Sequence, residues 1–200
     1  TRGAIKGSNV DCTVEAGEPS HAGHRSRSVW WTYTAPSNGQ VTVDTLGSTF
    51  DTVLAVYTGN SVGGLTPVAS NDDTAPGRQS RVAFLAAAGQ QYRIAVDGKA
   101  SASGAIALQW RHAASPANDN LADAPVVSGA SGSATGSSVG ATRETGEPMH
   151  RRRGFPSVWW SWTAPVTGTL RLNTAGSNFD TVLNAYTGNN AGALVAKAQN

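Results

Sequence analysis

The side chains best suited to chemistry in this sequence are carboxylates in turns and at the ends of predicted strands. Asp51 precedes one predicted strand, and Asn71, Asp72 and Asp73 follow the next one. Calcium takes about six to eight hard oxygen ligands, which carboxylates and turn carbonyls can supply. The pattern therefore predicts Asp51, Asp72 and Asp73 as candidate calcium ligands. The alternative is that aspartate and asparagine in turns bond their own backbone amides, which needs no metal.

The other reactive groups form no catalytic set. His21 and His24 are spaced as zinc ligands can be, but a second copy of this segment has Arg153 for the second histidine, so a flexible solvated loop is favoured. Glu18 and Glu147 lie in equivalent Glu-x-Gly-Glu-Pro segments. Both are predicted to be structural acceptors for an arginine or for backbone amides. With no nucleophile elbow and no phosphate-binding glycine motif, the sequence predicts a protein that is not an enzyme.

Aromatic and basic residues offer two ligand-binding hypotheses. Trp30 and Trp159 lie on the strand face opposite the predicted core, where an indole could stack on a sugar ring. Core or inter-sheet packing is the favoured alternative for both. Arg151–Arg153 could contact phosphate or an acidic polysaccharide, although a glycine-bounded arginine run usually faces solvent.

A tandem duplication is the clearest feature of the organisation. Residues 29–59 recur at 158–188 with 18 of 31 positions identical and a constant offset of 129. That offset is the size of one ordinary domain, so each copy should bury its own core. We predict a first domain at 1–113, a linker at 114–117 and a second domain at 118–200 that is incomplete at its C-terminal end. Its last residue corresponds to Asn71, which leaves two explanations open: a longer repeat array, or strands supplied by another chain.

Short alternating runs separated by turn residues predict the fold of each copy. About eight strands at intervals of roughly ten residues, with no helical periodicity, indicate an all-β sandwich. In the first copy these runs are Val10–Val14, Val29–Thr34, Gln40–Asp44, Val53–Tyr57, Thr66–Ala69, Arg81–Leu85, Tyr92–Val96 and Ala105–Trp110. The segment 118–124 is expected to form a short turn, and 128–138 the start of a strand.

Composition excludes several classes of partner. The net charge is only +2 and charged residues make up 14% of the chain, with no basic run marking a nucleic-acid site. No apolar stretch reaches the length of a transmembrane helix, so membrane insertion is not expected. The single cysteine, Cys12, excludes an internal disulfide framework.

Three motifs carry a resemblance to a known family. They are the segment W-x-Y/W-T-A-P-x-x-G, the segment F-D-T-V-L-x-x-Y-T-G, and A-A-G-Q-Q-Y-R-I-A-V-D-G at 87–98. This pattern resembles the bacterial pre-peptidase C-terminal (PPC) domain and its relatives in exported surface proteins. The resemblance implies tandem jelly-roll-like β-sandwiches that are extracellular and non-catalytic. Some similar domains bind calcium or fibrous substrates, so fold alone does not assign a ligand.

The function predicted from these features is a structural or adhesion module at a bacterial cell surface. Its expected partners are copies of itself or neighbouring repeats, with a polysaccharide or a fibrous protein as further partners. Calcium is the one cofactor considered. The alternative is an accessory substrate-binding region of a secreted hydrolase or peptidase. A protease domain in the same reading frame would favour that alternative, and further 129-residue repeats would favour the array.

Overall fold

The computed structural model describes residues 1–74, 77–150 and 156–199. The chain divides into two compact units, Thr1–Ala114 and Ser115–Asn200. The boundary between them falls at the start of the predicted linker, 114–117. The arginine cluster at 151–153 lies outside the described residues.

The first unit is a sandwich of two four-stranded antiparallel sheets. One sheet has the strand order β1-β8-β3-β6 and the other β2-β7-β4-β5, which is the jelly-roll arrangement. This confirms the predicted fold class. Its eight strands within the described residues are β1 (Arg2–Ser8), β2 (Val29–Thr34), β3 (Gly39–Asp44), β4 (Thr52–Thr58), β5 (Thr66–Asn71), β6 (Arg81–Ala86), β7 (Gln91–Gly98) and β8 (Ala105–Ala114).

Alternating burial builds the core between the two sheets. In β6, every second side chain from Val82 is buried and the intervening ones are exposed, as a strand with one solvated face requires. In β2, Val29, Trp31 and Tyr33 pack against the core, as predicted. In β4, the side chains from Thr52 to Tyr57 are all buried, because both faces of this central strand are covered.

The prediction of a first strand at Val10–Val14 is wrong. Residues 10–14 form a turn and an irregular segment, and Arg2–Ser8 pairs with β8 instead. The inward positions of β1 include Gly3 and Gly7, and a Cβ at either would come within 3 Å of the Trp110 or Trp31 ring. Large indoles in neighbouring strands thus take the space of side chains on β1. The apolar alternation that marks the other strands is therefore missing here.

The second unit contains less regular structure in its described part. Its strands there are β9 (Val126–Val127), β10 (Ser161–Trp162), β11 (Asn184–Thr187) and β12 (Val195–Gln199). β9 and β10 pair in parallel, and β11 and β12 pair antiparallel. Leu121–Asp123 forms a single 3₁₀ turn inside the predicted turn segment. Residues 128–138 form no strand, which corrects that expectation, since no described strand lies beside them as β8 lies beside β1.

Candidate functional site

The three predicted calcium ligands lie together in the first unit. Asp51 immediately precedes β4, and Asp72 and Asp73 follow β5, which pairs with β4. One carboxylate oxygen from each lies within 4.8 Å of the others. Among the described residues, the buried Oδ1 atoms of Asp51 and Asp72 have no hydrogen-bond partner. The strand pairing thus brings together residues that are 21 positions or more apart in the sequence.

A lysine already supplies positive charge to this cluster. Lys99 lies in the 3₁₀ turn after β7, and its Nζ is 2.7 Å from Asp72 Oδ2 and 2.9 Å from Asp73 Oδ2. These hydrogen bonds, first to Asp72 and then to Asp73, raise the pKa of Lys99 and keep it protonated. His24 Nε2 lies 3.6 Å from Asp72 Oδ2. The ammonium group neutralises the carboxylates that calcium would need, and calcium binding stays a prediction.

Replacing this lysine is the sharpest test of the calcium prediction. We expect Lys99→Met to bind calcium more tightly than the parent chain, because it frees carboxylate oxygens for a hard cation. Isothermal titration of both proteins with CaCl₂ measures the change, and Lys99→Met/Asp72→Asn should lose the gain. Equal affinity of the parent and Lys99→Met would contradict competition by the ammonium group.

The two candidate sugar-binding tryptophans pack against neighbouring residues. Trp30 is half-buried against the small cluster of Ala55, Tyr57 and Ala95. Its Nε1 donates to Glu18 Oε1 at 3.1 Å. Trp159 is buried, and its Nε1 has no partner among the described residues. Sugar stacking on either indole stays a prediction, and it would require these rings to leave their present contacts.

A buried polar network around Glu18 is the feature that sequence reasoning missed. Glu18 Oε1 accepts hydrogen bonds from His21 Nε2 at 3.0 Å, from Trp30 Nε1 at 3.1 Å and from the Ser28 hydroxyl. Its Oε2 accepts from the backbone amide of Glu15 at 2.8 Å. The predicted role as a structural acceptor agrees with the backbone contact, while histidine, serine and tryptophan stand where an arginine was considered.

Tyr57 completes this network from the central strand β4. The Tyr57 hydroxyl lies 2.8 Å from His21 Nδ1 and donates to the Ser20 carbonyl at 3.2 Å. Burial and the nearby negative charge of Glu18 raise the pKa of Tyr57 to about 12, so the phenol stays protonated. His21 is fully buried, which overturns the expectation that this histidine is solvated, whereas Ala22 and Gly23 are exposed. Both ring nitrogens of His21 are engaged within the network.

The charge state of Glu18 follows from its four donors. Burial acts to raise the pKa of this carboxyl, but hydrogen bonds from Ser28, His21 and the Glu15 amide outweigh it and hold the pKa below its ordinary value. An ionised carboxylate can accept all of these bonds, whereas a protonated one would lose acceptor capacity. The network therefore fastens the loop before β2 to the sheet. The carboxylate of Glu18, the imidazole of His21 and the phenol of Tyr57 are buried, so this network suits a structural role.

The second unit contains the same network at the repeat offset. His150 Nε2 lies 2.9 Å from Glu147 Oε1, and His150 Nδ1 lies 3.0 Å from the Tyr186 hydroxyl. Glu147 Oε2 accepts from the Glu144 amide at 3.0 Å, and Ser157 donates to its Oε1. The same types of side chain thus make the same bonds in both copies, except that Trp30 donates to Glu18 whereas Trp159 Nε1 has no partner among the described residues. The sequence contains a signal for this network, because its Glu, His, Ser and Tyr residues all recur at an offset of 129.

A second buried carboxylate holds the other end of the loop. Asp97, at the end of β7, accepts hydrogen bonds from the backbone amides of Ser26, Arg27 and Gly98 and from the Ser26 hydroxyl, at 2.6 to 2.7 Å. Burial acts to raise the pKa of Asp97, and these bonds together lower it below its ordinary value. Glu18 and Asp97 thus hold the loop between β1 and β2 at two points.

Comparison with known proteins gives similarity among solved structures. No family model matches the sequence, and no curated protein matches it. The chain is similar to the pre-peptidase C-terminal domain of a collagenase from Bacillus anthracis, with 14% identity and a TM-score of 0.36, over 55% of this chain and 89% of that one. It is also similar to PliG of Aeromonas hydrophila, a periplasmic inhibitor of g-type lysozyme, with 18% identity and a TM-score of 0.38, over 56% of this chain and 86% of that one. One of these two structures is a PPC domain, and the sequence motifs resemble the same family.

No helix in the described part of the chain has the length and apolar character needed to cross a bilayer.

Proposed function

We propose that this chain is a non-catalytic extracellular module with a structural or adhesive role, forming part of a repeat array or filament on a bacterial surface. In this proposal neighbouring copies share strands, so the direct partners are other copies or adjacent repeats. The single observation that carries it is a set of exposed apolar side chains in the second unit. Their counterparts in the first unit form its core.

Two pairs of equivalent residues show the contrast. Val43 is fully buried in the first unit, whereas its counterpart Leu172 is 53% exposed in the second. Phe50 is 8% exposed and its counterpart Phe179 is 57% exposed. Exposed apolar surface of this kind marks an interaction site. The first unit indicates what fits it, because there β6, β7 and β8 complete the sheets that cover these positions.

Strand pairing supports the same proposal. In the first unit β4 has two neighbours, β5 and β7. In the described part of the second unit its counterpart β11 pairs with β12 alone. An unpaired strand edge presents backbone donors and acceptors that another strand can satisfy. We infer that a segment with the pattern of β7 occupies this edge in the assembled protein.

An accessory substrate-binding region of a secreted hydrolase or peptidase is the second candidate. The observation that favours it is a pair of exposed arginines, Arg2 and Arg111, directly opposite one another on the first unit. Exposed arginines without a carboxylate partner can bind anionic groups of a polymeric substrate.

Self-association of the full chain tests the array proposal. We expect the 200-residue chain to form dimers or larger species with rising concentration, because burial of the second unit's apolar face is favourable. Sedimentation velocity over a concentration series measures this. The variant Leu172→Asn/Phe179→Asn should stay monomeric without loss of stability, since both side chains are already exposed.

A matched control comes from the first unit. Leu85 is 58% exposed on its outer sheet face, and Leu85→Asn should leave self-association unchanged. A parent chain that is monomeric at every concentration, or an effect of Leu85→Asn equal to that of the double variant, would refute strand sharing through this face.

A further inference from the structure

Four basic side chains lie on the outer face of one sheet of the first unit. Arg2 and Lys6 lie on β1, Arg111 on β8 and Arg81 on β6, and all four are exposed. They point away from the core, because the residues that alternate with them on β6 and β8 are buried. We call this set of four residues the basic face. More than 100 positions separate its first and last members, so no sequence run reveals it.

Strand register places two of these charges directly opposite each other. Arg2 lies directly opposite Arg111, and Arg111 lies opposite Thr42 on β3. Like charges directly opposite each other in a sheet are destabilising, so this pair is a cost to the isolated fold. Among the described residues only Arg81 has an acidic partner, Asp44, at 3.5 Å. Three of the four cations therefore lack a neutralising group.

The same surface contains a shallow open depression of about 560 Å³. Arg2, Arg81 and Arg111 line it, together with Thr42, Gln109 and Asp44, whose carboxylate pairs with Arg81. Gln109 donates its Nε2 to the Leu46 carbonyl, which leaves its side-chain oxygen as an acceptor for a hydroxyl group. Cations, neutral hydrogen-bonding groups and one carboxylate thus meet at a single surface.

We propose that the basic face binds a polysaccharide that carries carboxylate groups. The planar fork of arginine matches a carboxylate with two parallel hydrogen bonds, and an anion between Arg2 and Arg111 would remove their repulsion. The hydroxyl groups of such a polymer suit Thr42 and Gln109.

Nucleic acid fits the basic face less well. Proteins that bind duplex DNA commonly neutralise about six to ten phosphates, whereas this face offers three uncompensated cations. A broad sheet face also cannot enter a groove as a helix or two-stranded ribbon does. The second copy places Ser131 and Thr135 where the first has Arg2 and Lys6, so the face belongs to the first unit.

This inference deepens the proposed adhesive role and rests on it for an extracellular partner. Binding to the basic face needs no assembly through the second unit. Failure of polysaccharide binding with intact self-association would remove this inference alone, and the reverse result would remove only the array proposal.

Affinity electrophoresis and isothermal titration of the full chain with polygalacturonate test the proposal. We expect the parent to bind, with affinity falling as salt increases. The variant Arg2→Gln/Arg111→Gln should bind about tenfold or more weakly, because two charge-assisted contacts are lost. Arg111→Lys, which keeps the charge without the planar fork, should bind with intermediate affinity.

The controls separate charge from position. Arg25→Gln/Lys197→Gln removes two exposed cations elsewhere and should bind as the parent does. Fully methyl-esterified polygalacturonate, which is neutral, should not bind. The proposal is overturned by absence of parent binding, by equal binding of Arg2→Gln/Arg111→Gln with an unchanged melting temperature, by equal binding of the esterified polymer, or by tighter binding of duplex DNA.

Discussion

Glu18→Ala should lower the free energy of unfolding of the first unit by about 3–5 kcal/mol. The substitution leaves the imidazole of His21, the hydroxyl of Ser28 and the indole N–H of Trp30 inside the protein without their shared acceptor. Buried donors without partners each carry a desolvation cost, and the four bonds to Glu18 are lost together. Urea unfolding followed by tryptophan fluorescence measures the change.

Glu15→Ala is the matched control for this prediction. Glu15 lies in the same loop and is exposed, and only its backbone amide takes part in the network. We expect it to change the unfolding midpoint very little. If Glu18→Ala were no more destabilising than Glu15→Ala, the buried network would have no role in holding the loop to the sheet.

Asp97→Asn should destabilise the first unit by about 3 kcal/mol. The carboxylate of Asp97 accepts from three backbone amides and from the Ser26 hydroxyl. An asparagine presents an NH₂ group to some of these donors, so at least one buried N–H group loses its partner. Thermal unfolding measures the loss, with Asp11→Asn as the control, since Asp11 is exposed and its φ of 61° suits asparagine.

The lowered pKa values of these two carboxyls set the pH dependence of stability. Their folded-state pKa values lie below the ordinary 4.5 of Glu18 and 3.8 of Asp97. Because the folded state favours the ionised forms, the stabilisation is complete above the ordinary values and is lost as pH falls through the folded ones. As pH falls below 5, the free energy of unfolding of Asp97→Asn should therefore decrease less than that of the parent. An identical pH profile for both proteins would show that Asp97 is not a source of acid sensitivity.

Most strands of the first unit could be predicted from the sequence, because apolar and polar residues alternate along them. β3 and β6 bury every second residue, so their positions could be read from the sequence. β1 could not be predicted in this way, because two inward positions are glycines under tryptophan rings from other strands. That packing depends on which strands become neighbours, which is a long-range property of the jelly roll.

The candidate sites show a similar division. The grouping of Asp51 with Asp72 followed from turn positions at the ends of adjacent strands. Lys99 could not be placed there from sequence, since it reaches the cluster from β7 through a long-range strand pairing. The burial of His21 could not be predicted from the sequence, because a loop rich in glycine suggests exposure to solvent. In the structure its imidazole contacts Glu18 and Tyr57.

The central claim is that a strand of another segment completes the open edge of the second unit. Hydrogen exchange at the backbone amides of β11, Asn184–Thr187, measured in dilute and in concentrated solutions of the full chain, tests it most directly. The account predicts slower exchange on assembly at the amides of this edge, while the already paired amides of β4 in the first unit keep their protection. Equal exchange of β11 at both concentrations, in a chain that has assembled, would contradict strand sharing.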